Sequence, residues 1–137
     1  MSKKKVNIFG TTGSIGQSTL QVLRGNKVKY DFIVFSAHDN VDQLIKDCLE
    51  FKPQYANIGH KKHFLKLKNA LHDTDISLSY GRDALLDLAC TKVDWSMSAI
   101  VGFSGVEVSL ICAEHSKILA LANKEALVCA GKLLLSI

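Results

Sequence analysis

The chain has 137 residues, of which 47% are hydrophobic and 22% are charged, and its net charge is +4. These values are typical of one soluble globular domain with a substantial core, and they exclude a disordered or fibrous chain. The lysines cluster at residues 3–5 and 61–68 without an interleaved aromatic stripe, and no apolar run reaches the length of a membrane span. We therefore expect a cytoplasmic protein that binds neither nucleic acid nor membrane.

Strand and helix patterns alternate along the sequence. Short apolar runs predict strands at 6–9, 31–37, 55–59, 75–81, 93–102 and 117–123. Segments with helical spacing predict helices at 14–24, 40–51, 61–71, 82–90, 105–115 and 124–137. Asn40 is a suitable N-cap for the second helix, whose apolar face we expect to include Leu44, Cys48 and Leu49, and Pro53 follows its end.

The order of these elements predicts the fold class. Strands that alternate with helices over short connections form parallel sheets, because each parallel pair needs a crossover. We therefore predict an α/β fold, a doubly wound, mostly parallel Rossmann-like sheet with helices on both faces, as one domain over residues 1–137. The sequence ends on an uncapped apolar helix, "LLLSI", from which we expect a longer polypeptide of which this is the N-terminal part.

The four cysteines at positions 48, 90, 112 and 129 all fall in apolar stretches predicted as helices. We therefore expect buried free thiols in a reducing compartment. Neither the cysteines nor the five histidines show the spacing of zinc ligands, so the sequence predicts no zinc site.

Three glycines in the stretch "GTTGSIG" lie between the first predicted strand and the first predicted helix. In that position Gly10 permits a sharp turn, Gly13 permits a ligand to approach the backbone, and Gly16 permits close packing of helix on strand. The spacing alone is a weak signal, and a tight turn without a ligand is the alternative. The position after the first strand favours dinucleotide binding.

The start of the first helix is the predicted site of the diphosphate. It offers unpaired backbone N–H groups and the positive end of the helix dipole. Thr11, Thr12 and Ser14 add hydroxyl donors in the same turn.

The end of the second predicted strand favours NADP over NAD. It reads "FSA" and lacks the acidic residue that binds the ribose 2′-hydroxyl of NAD. Ser36, Asn40 or a protonated His38 are candidates for binding the 2′-phosphate of NADP. Asp39 argues against this unless its carboxylate faces solvent.

Two further segments follow predicted strands at the same edge of the sheet. In "LANKEAL", Asn123 suits a helix cap and Glu125 suits the positive end of the dipole, whereas Lys124 opposes that dipole, and an anionic ligand would offset the conflict. The loop at 98–105 contains small residues that permit close approach of a ligand, although a tight turn explains them equally well.

The stretches "GTTGSIGQSTLQV", "CLEFKPQYA", "AIVGFSG" and "LANKEALVCAG", in this order and spacing, closely resemble the 1-deoxy-D-xylulose 5-phosphate reductoisomerase family. The resemblance covers essentially the whole chain. It implies an enzyme considerably longer than this chain, with catalytic and C-terminal domains after it.

The resemblance also implies a reaction. The family converts 1-deoxy-D-xylulose 5-phosphate to 2-C-methyl-D-erythritol 4-phosphate in the non-mevalonate route to isoprenoids. A rearrangement of the sugar phosphate gives an aldehyde that NADPH reduces, and Mg²⁺ or Mn²⁺ polarises the substrate oxygens. The family further implies a homodimer, with the metal-binding acids and the catalytic residues outside this chain.

Matching positions in the family motifs imply individual roles. Cofactor contacts are implied for Thr12, Gly13, Ser14, Ile15, Asn40, Asn123 and Glu125. The first four match the diphosphate region and Asn40 matches the adenosine end, while Lys124 matches a substrate contact. Many relatives have Gly-Lys before that asparagine, where this chain has His38 and Asp39, so strict preference for NADPH over NADH is not implied.

Two alternative functions are compatible with the same domain. One is another NADP-dependent reductase of Rossmann type, which would require a catalytic cysteine or histidine motif that we do not find. The other is a non-catalytic module that binds a nucleotide.

Overall fold

A computed structural model describes residues 2–122, and the structural statements below refer to these residues. The strands are β1 (Lys4–Phe9), β2 (Tyr30–Ala37), β3 (Tyr55–Ile58), β4 (Ser77–Tyr80), β5 (Val93–Ser98) and β6 (Ser116–Leu121). The α-helices are α1 (Ser14–Arg24), α2 (Val41–Phe51), α3 (Phe64–Leu71), α4 (Arg82–Ala89) and α5 (Ser104–His115). Short 3₁₀ helices occupy Lys27–Lys29 and Lys61–His63. These elements confirm the predicted order, whereas the predicted helix at 124–137 lies outside the described residues.

The strands of residues 2–122 form one six-stranded sheet in the order β4-β3-β2-β1-β5-β6, and all its pairings are parallel. The chain runs outward from β1 to β4 and then returns to place β5 on the other side of β1. The strand order therefore reverses between β1 and β5. Open α/β sheets bind ligands at the carboxyl edge beside such a reversal.

Helices cover both faces of the sheet, which confirms the doubly wound fold. On one face α1, α2 and α3 enclose a core that includes Ile8, Phe35 and Leu44. On the other face α4 and α5 pack over a core that includes Phe9 and Val108. Because both faces are covered, the central strands carry apolar residues without simple alternation.

The pairing of β1 with β2 contains an irregularity next to the functional edge. The register shifts between Val6 and Asn7, and the buried Asn7 Oδ1 accepts a hydrogen bond of 3.1 Å from the Val34 amide. A side chain thus replaces the backbone acceptor that the shift removes, and pairing continues toward the carboxyl end of the two strands.

Helix α2 has the predicted cap and most of the predicted buried face, including Leu44 and Cys48. The Asn40 Oδ1 accepts a bond of 3.2 Å from the Gln43 amide, which confirms the N-cap. Leu49, predicted to be buried, is 51% exposed, while the acidic Asp47 is buried instead. Hydrogen bonds described below stabilise Asp47 in its buried position.

None of the helices in residues 2–122 combines the length and the hydropathy that a membrane crossing requires.

The cysteine prediction is correct at two positions and wrong at a third. Cys48 and Cys112 are buried free thiols, and burial raises the pKa of each to about 12. Cys90 is exposed because it follows α4 at the surface, where its thiol donates only to the Leu86 carbonyl at 3.5 Å. Position 129 lies outside the described residues.

Candidate functional site

A cavity of about 570 Å³ opens at the carboxyl edge of the sheet, within the range of small-molecule sites. Its wall combines the glycine turn after β1 with the segments that follow β2, β3, β4 and β5. The predicted site residues Thr12, Gly13 and Asn40 lie in this wall. Ser14 and Ile15 begin α1 beside it and are exposed.

The glycine turn requires glycine at two of its three positions for structural reasons. Gly10 has a φ of +83°, and a Cβ atom there would lie 2.8 Å from the Ala99 carbonyl oxygen. A Cβ atom on Gly16 would overlap the backbone carbonyls of Gly10 and Thr11. These contacts confirm the predicted sharp turn and the predicted close packing of helix on strand.

Gly13 differs from the other two glycines. A Cβ atom there would meet only the Gly10 carbonyl oxygen, at 3.7 Å, which is ordinary van der Waals contact. Its φ of −75° is also accessible to other residues. The fold itself therefore does not require glycine at this position, which leaves close approach of a ligand as its physical reason.

Gly13 is also the N-cap of α1, and this helix start suits an anion. No side chain caps the helix, and its first turn contains no acidic residue. The last turn carries Arg24, which complements the negative end of the dipole. The first amides and the positive end of the dipole thus face the cavity edge without an internal anionic partner, as a diphosphate site requires.

Thr11 and Ser36, two predicted ligand donors, join the glycine turn to β2. The fully buried Thr11 hydroxyl donates to the Ile8 carbonyl at 2.9 Å and accepts from the Ser36 amide at 3.1 Å. Thr11 therefore has a structural role, and the prediction that its hydroxyl donates to a ligand is wrong. The Ser36 hydroxyl accepts from the Gly10 amide at 3.0 Å, and Ser36 also lines the cavity, so its contact with a ligand stays a prediction.

Polar side chains from two helices support the turn from behind. The Gln17 side-chain amide donates to the Thr11 carbonyl at 3.0 Å and to Asp47 Oδ2 at 2.8 Å. Gln43 donates to Asp47 Oδ1 at 2.9 Å. Burial raises the pKa of the Asp47 carboxyl, and the two amide donors oppose that rise. Asp47 thus links α2 to the backbone of the glycine turn through Gln17.

The loop after β2 places the exposed side chain of Asp39 beside three histidines. Asp39 Oδ1 lies 3.1 Å from His60 Nε2 and 4.0 Å from His63 Nε2, and Oδ2 lies 3.8 Å from His38 Nε2. His38, Asp39 and Asn40 all line the cavity. The Asp39 carboxylate therefore lies in the cavity wall, with imidazole groups beside it and solvent access.

Asn57 and Arg82 belong to the cavity wall, although sequence reasoning did not identify them. The Asn57 amide donates to Ser79 Oγ at 3.0 Å and to the Gly81 carbonyl at 3.2 Å. Its Oδ1 is buried without a partner among residues 2–122. Asn57 lies at the carboxyl end of β3, and Arg82 follows the carboxyl end of β4. The rule that open α/β sheets bind ligands at the carboxyl ends of their strands could have identified both residues from the sequence.

The comparisons with known proteins identify the family. A family model described as 1-deoxy-D-xylulose 5-phosphate reductoisomerase matches residues 6–131. The chain belongs to this family. It is 42% identical over 135 residues to a protein of that name from Ruegeria sp. (strain TM1040), covering 98% of this chain and 34% of that protein. It is 39% identical over 136 residues to the protein of the same name from Caulobacter vibrioides (strain NA1000 / CB15N), covering 99% of this chain and 34% of that protein.

Solved structures of the family share the fold. The reductoisomerase from Zymomonas mobilis in complex with NADPH superposes with a TM-score of 0.94 at 36% identity, over 98% of this chain and 36% of that one. A second reductoisomerase structure, in complex with NADPH, fosmidomycin and magnesium, superposes with a TM-score of 0.88 at 32% identity. That match covers 97% of this chain and 33% of the other. The chain thus spans about a third of the length of these relatives. The predicted residues Asn123, Lys124 and Glu125 lie outside the described residues.

Proposed function

We propose that this chain is the NADPH-binding domain of an enzyme that converts 1-deoxy-D-xylulose 5-phosphate to 2-C-methyl-D-erythritol 4-phosphate. The observation that carries the proposal is the uncapped start of α1 behind Gly13, at a cavity beside the reversal of strand order. That position suits a diphosphate. The NADPH complex of the Zymomonas mobilis relative supports the choice of cofactor.

The residues present fit a dinucleotide. Gly13 leaves the backbone accessible, and Thr12 and Asn40 lie in the same cavity wall. Thr12, Gly13, Ser14 and Ile15 would hold the diphosphate, and Asn40 would lie at the adenosine end. The unpartnered Asn57 Oδ1 offers a buried acceptor beside the cavity. When bound, NADPH supplies the hydride for reduction of the aldehyde.

The remaining roles belong to residues beyond position 122 and to the longer protein. Asn123 and Glu125 would complete the cofactor site, and Lys124 would contact the substrate phosphate or oxygens. We propose that residues 1–137 form the Rossmann-like domain of a longer homodimeric, cytoplasmic enzyme. Its Mg²⁺ or Mn²⁺ would be held by acids outside this chain. The solved relative in complex with NADPH, fosmidomycin and magnesium supports the proposed need for a divalent ion.

The test is an assay of the full-length protein with Mg²⁺, NADPH and 1-deoxy-D-xylulose 5-phosphate. We expect the absorbance of NADPH to fall only when the sugar phosphate is present. A folded protein that binds NADPH but does not oxidise it under these conditions would contradict the proposed reaction. A folded protein that does not bind NADPH would contradict the proposed cofactor.

Lys124→Ala then tests the substrate contact. We expect the KM for the sugar phosphate to rise more than the KM for NADPH, because the proposed role of the lost cation is contact with the substrate. Lys117→Ala is the matched control, since Lys117 is exposed at the opposite edge of the sheet and pairs with Asp94 at 3.2 Å. A larger change in the KM for NADPH would contradict the role of Lys124.

A further inference from the structure

Residues from two segments of the chain meet at the carboxyl edge of the sheet: His38 and Asp39, which line the cavity, and His60. His38, Asp39 and His60 each offer one ligand atom, and these three atoms lie within 4.8 Å of one another. We call these three residues the imidazole cluster. All three side chains are exposed, so a dissolved ion reaches them without any opening of the fold.

The backbone holds the two halves of the imidazole cluster in place. His38 and Asp39 follow β2, and His60 follows β3, its parallel neighbour. The Gly59 amide donates to the Ala37 carbonyl at 2.8 Å, and the His60 amide donates to the His38 carbonyl at 3.3 Å. The segments after β2 and β3 therefore continue the backbone pairing of these two strands.

Gly59 is required for this arrangement. A Cβ atom at that position would lie 2.5 Å from His38 Nδ1 and 2.8 Å from the His38 carbonyl oxygen. Any other residue would displace the imidazole of His38. The absent side chain lets the rings of His38 and His60 approach to 4.6 Å between centroids.

The distances between ligand atoms approach those of a tetrahedral metal site. Ligands about 2.0–2.1 Å from a tetrahedral Zn²⁺ lie about 3.3–3.4 Å apart. The His60 Nε2 to Asp39 Oδ1 distance is 3.1 Å, and the His38 Nε2 to Asp39 Oδ2 distance is 3.8 Å. These two distances run to different oxygens of the carboxylate, and the three ligand atoms lie within 4.8 Å of one another, so the exposed side chains would have to rotate to share one ion.

We propose that His38, Asp39 and His60 form a binding site for a borderline divalent transition-metal ion of the Zn²⁺ type. Two imidazoles and one carboxylate suit such ions, whereas Mg²⁺ prefers oxygen ligands and retains its water. Three protein ligands leave a coordination position open to water or a fourth group.

Neighbouring charges leave the cluster available to a cation. Asp42, the next acidic residue along the chain, pairs with Lys66 at 2.6 Å, and this contact lowers the pKa of Asp42. Asp39 has no lysine or arginine partner among the described residues within ion-pair distance. Among the described residues, its partners within ion-pair distance are imidazoles, and these can become ligands when a metal ion binds.

The ion and the dinucleotide compete, a consequence that rests on the proposed function. His38 and Asp39 line the same cavity as Gly13, at the strand end where Rossmann folds hold the adenosine ribose. A bound ion draws these two side chains toward His60 across that position. The site thus gives transition-metal ions a means of inhibiting cofactor binding.

Calorimetric titration of the purified protein with Zn²⁺, and visible absorption with Co²⁺, test the site. We expect one ion per chain at the cluster and d–d bands of tetrahedral Co²⁺. His60→Ala and His38→Gln should each weaken binding roughly tenfold or more, since even losing a group that only orients a ligand costs tenfold to a hundredfold. Thermal unfolding of each variant verifies that it is folded.

His72→Ala is the matched control, because His72 does not line the cavity and its ring contacts Asp73 at 3.1 Å and the Asn69 carbonyl at 2.8 Å. This variant should bind Zn²⁺ as the unsubstituted protein does. Equal affinity in the unsubstituted protein and the His60→Ala variant would overturn the site. A loss in His72→Ala as large as that in His60→Ala would also overturn it.

Titration with NADPH separates this inference from the proposed function. Zn²⁺ should raise the Kd for NADPH in the unsubstituted protein and not in the His60→Ala variant. An equal effect of Zn²⁺ on both proteins would contradict the competition. Absence of NADPH binding without any metal would count against the proposed function alone, and the Zn²⁺ titration would still decide the metal site.

Discussion

The side-chain amide of Gln17 on α1 donates a 2.8 Å hydrogen bond to the buried carboxylate of Asp47 on α2. The same amide nitrogen donates to the Thr11 carbonyl inside the glycine turn at 3.0 Å. One side chain therefore connects the second helix of the fold to the turn that faces the cavity. Buried polar contacts of this kind give an otherwise apolar interface a defined geometry.

Gln17→Ala should loosen the glycine turn. Loss of this donor leaves the Thr11 carbonyl and part of the Asp47 carboxylate without partners, at a cost of about 1–3 kcal/mol in the free energy of unfolding. Affinity for NADPH should fall as well, because the turn is less ordered. Urea unfolding and a fluorescence titration measure the two effects. Gln21→Ala, at an exposed position of the same helix, is the control; equal losses in both variants would contradict a specific role for Gln17.

Gly16→Ala should destabilise the fold strongly. The added Cβ atom would overlap two backbone carbonyls that cannot move independently of the turn, so we expect about 1–3 kcal/mol or more. Gly25→Ala is the matched control, since nothing lies within 4 Å of its Cβ position. That variant should be neutral or more stable by about 0.4–1 kcal/mol. Unfolding midpoints that coincide for Gly16→Ala and Gly25→Ala would refute the close packing described here.

Asp39→Asn should increase the preference for NADPH over NADH. The substitution removes a negative charge from the cavity wall, and only NADPH carries the 2′-phosphate that this charge repels. One exposed like charge is worth about 0.5–1 kcal/mol, or roughly twofold to fivefold in the ratio of Kd values, and less at high salt. Asp42→Asn, whose carboxylate pairs with Lys66, is the control. An unchanged ratio in Asp39→Asn would show that Asp39 does not face the 2′-phosphate.

The three described cysteines should differ in reactivity. The thiolate is the reactive form, and a pKa of about 12 leaves almost none of it at Cys48 and Cys112 near neutral pH. The exposed Cys90 should therefore be alkylated first by iodoacetamide, as peptide mapping after a brief reaction would reveal. In denaturant all three should react. Alkylation of Cys48 in the folded protein at the rate of Cys90 would contradict its burial.

Local patterns were sufficient to predict most of the fold. Apolar runs and helical spacing identified the order of strands and helices between residues 4 and 121, because parallel strands buried on both faces require continuous apolar sequence. The roles of Gly10 and Gly16 were also predictable, since a sharp turn and a close helix leave no volume for a Cβ atom. The cap at Asn40 followed from its position before an amphipathic run.

Contacts between elements distant in sequence were not predictable. Thr11 resembles a ligand donor until the pairing of β1 with β2 joins it to Ser36. Asp47 resembles a solvated residue until two glutamine side chains, one of them from another helix, surround it. His60 meets Asp39 only because β3 lies beside β2. Each case depends on the order of strands in the sheet, which a single sequence does not specify.

In the complex that we propose, the diphosphate of NADPH binds at the uncapped start of α1, on the backbone of Gly13. Titration of a Gly13→Ala variant with NADPH probes this contact, since the fold has room for the added methyl group. We expect unfolding stability close to that of the unsubstituted protein, with NADPH binding weaker by about 1–3 kcal/mol, or roughly fivefold to hundredfold in Kd. A stable Gly13→Ala variant that binds NADPH as tightly as the unsubstituted protein would contradict this claim.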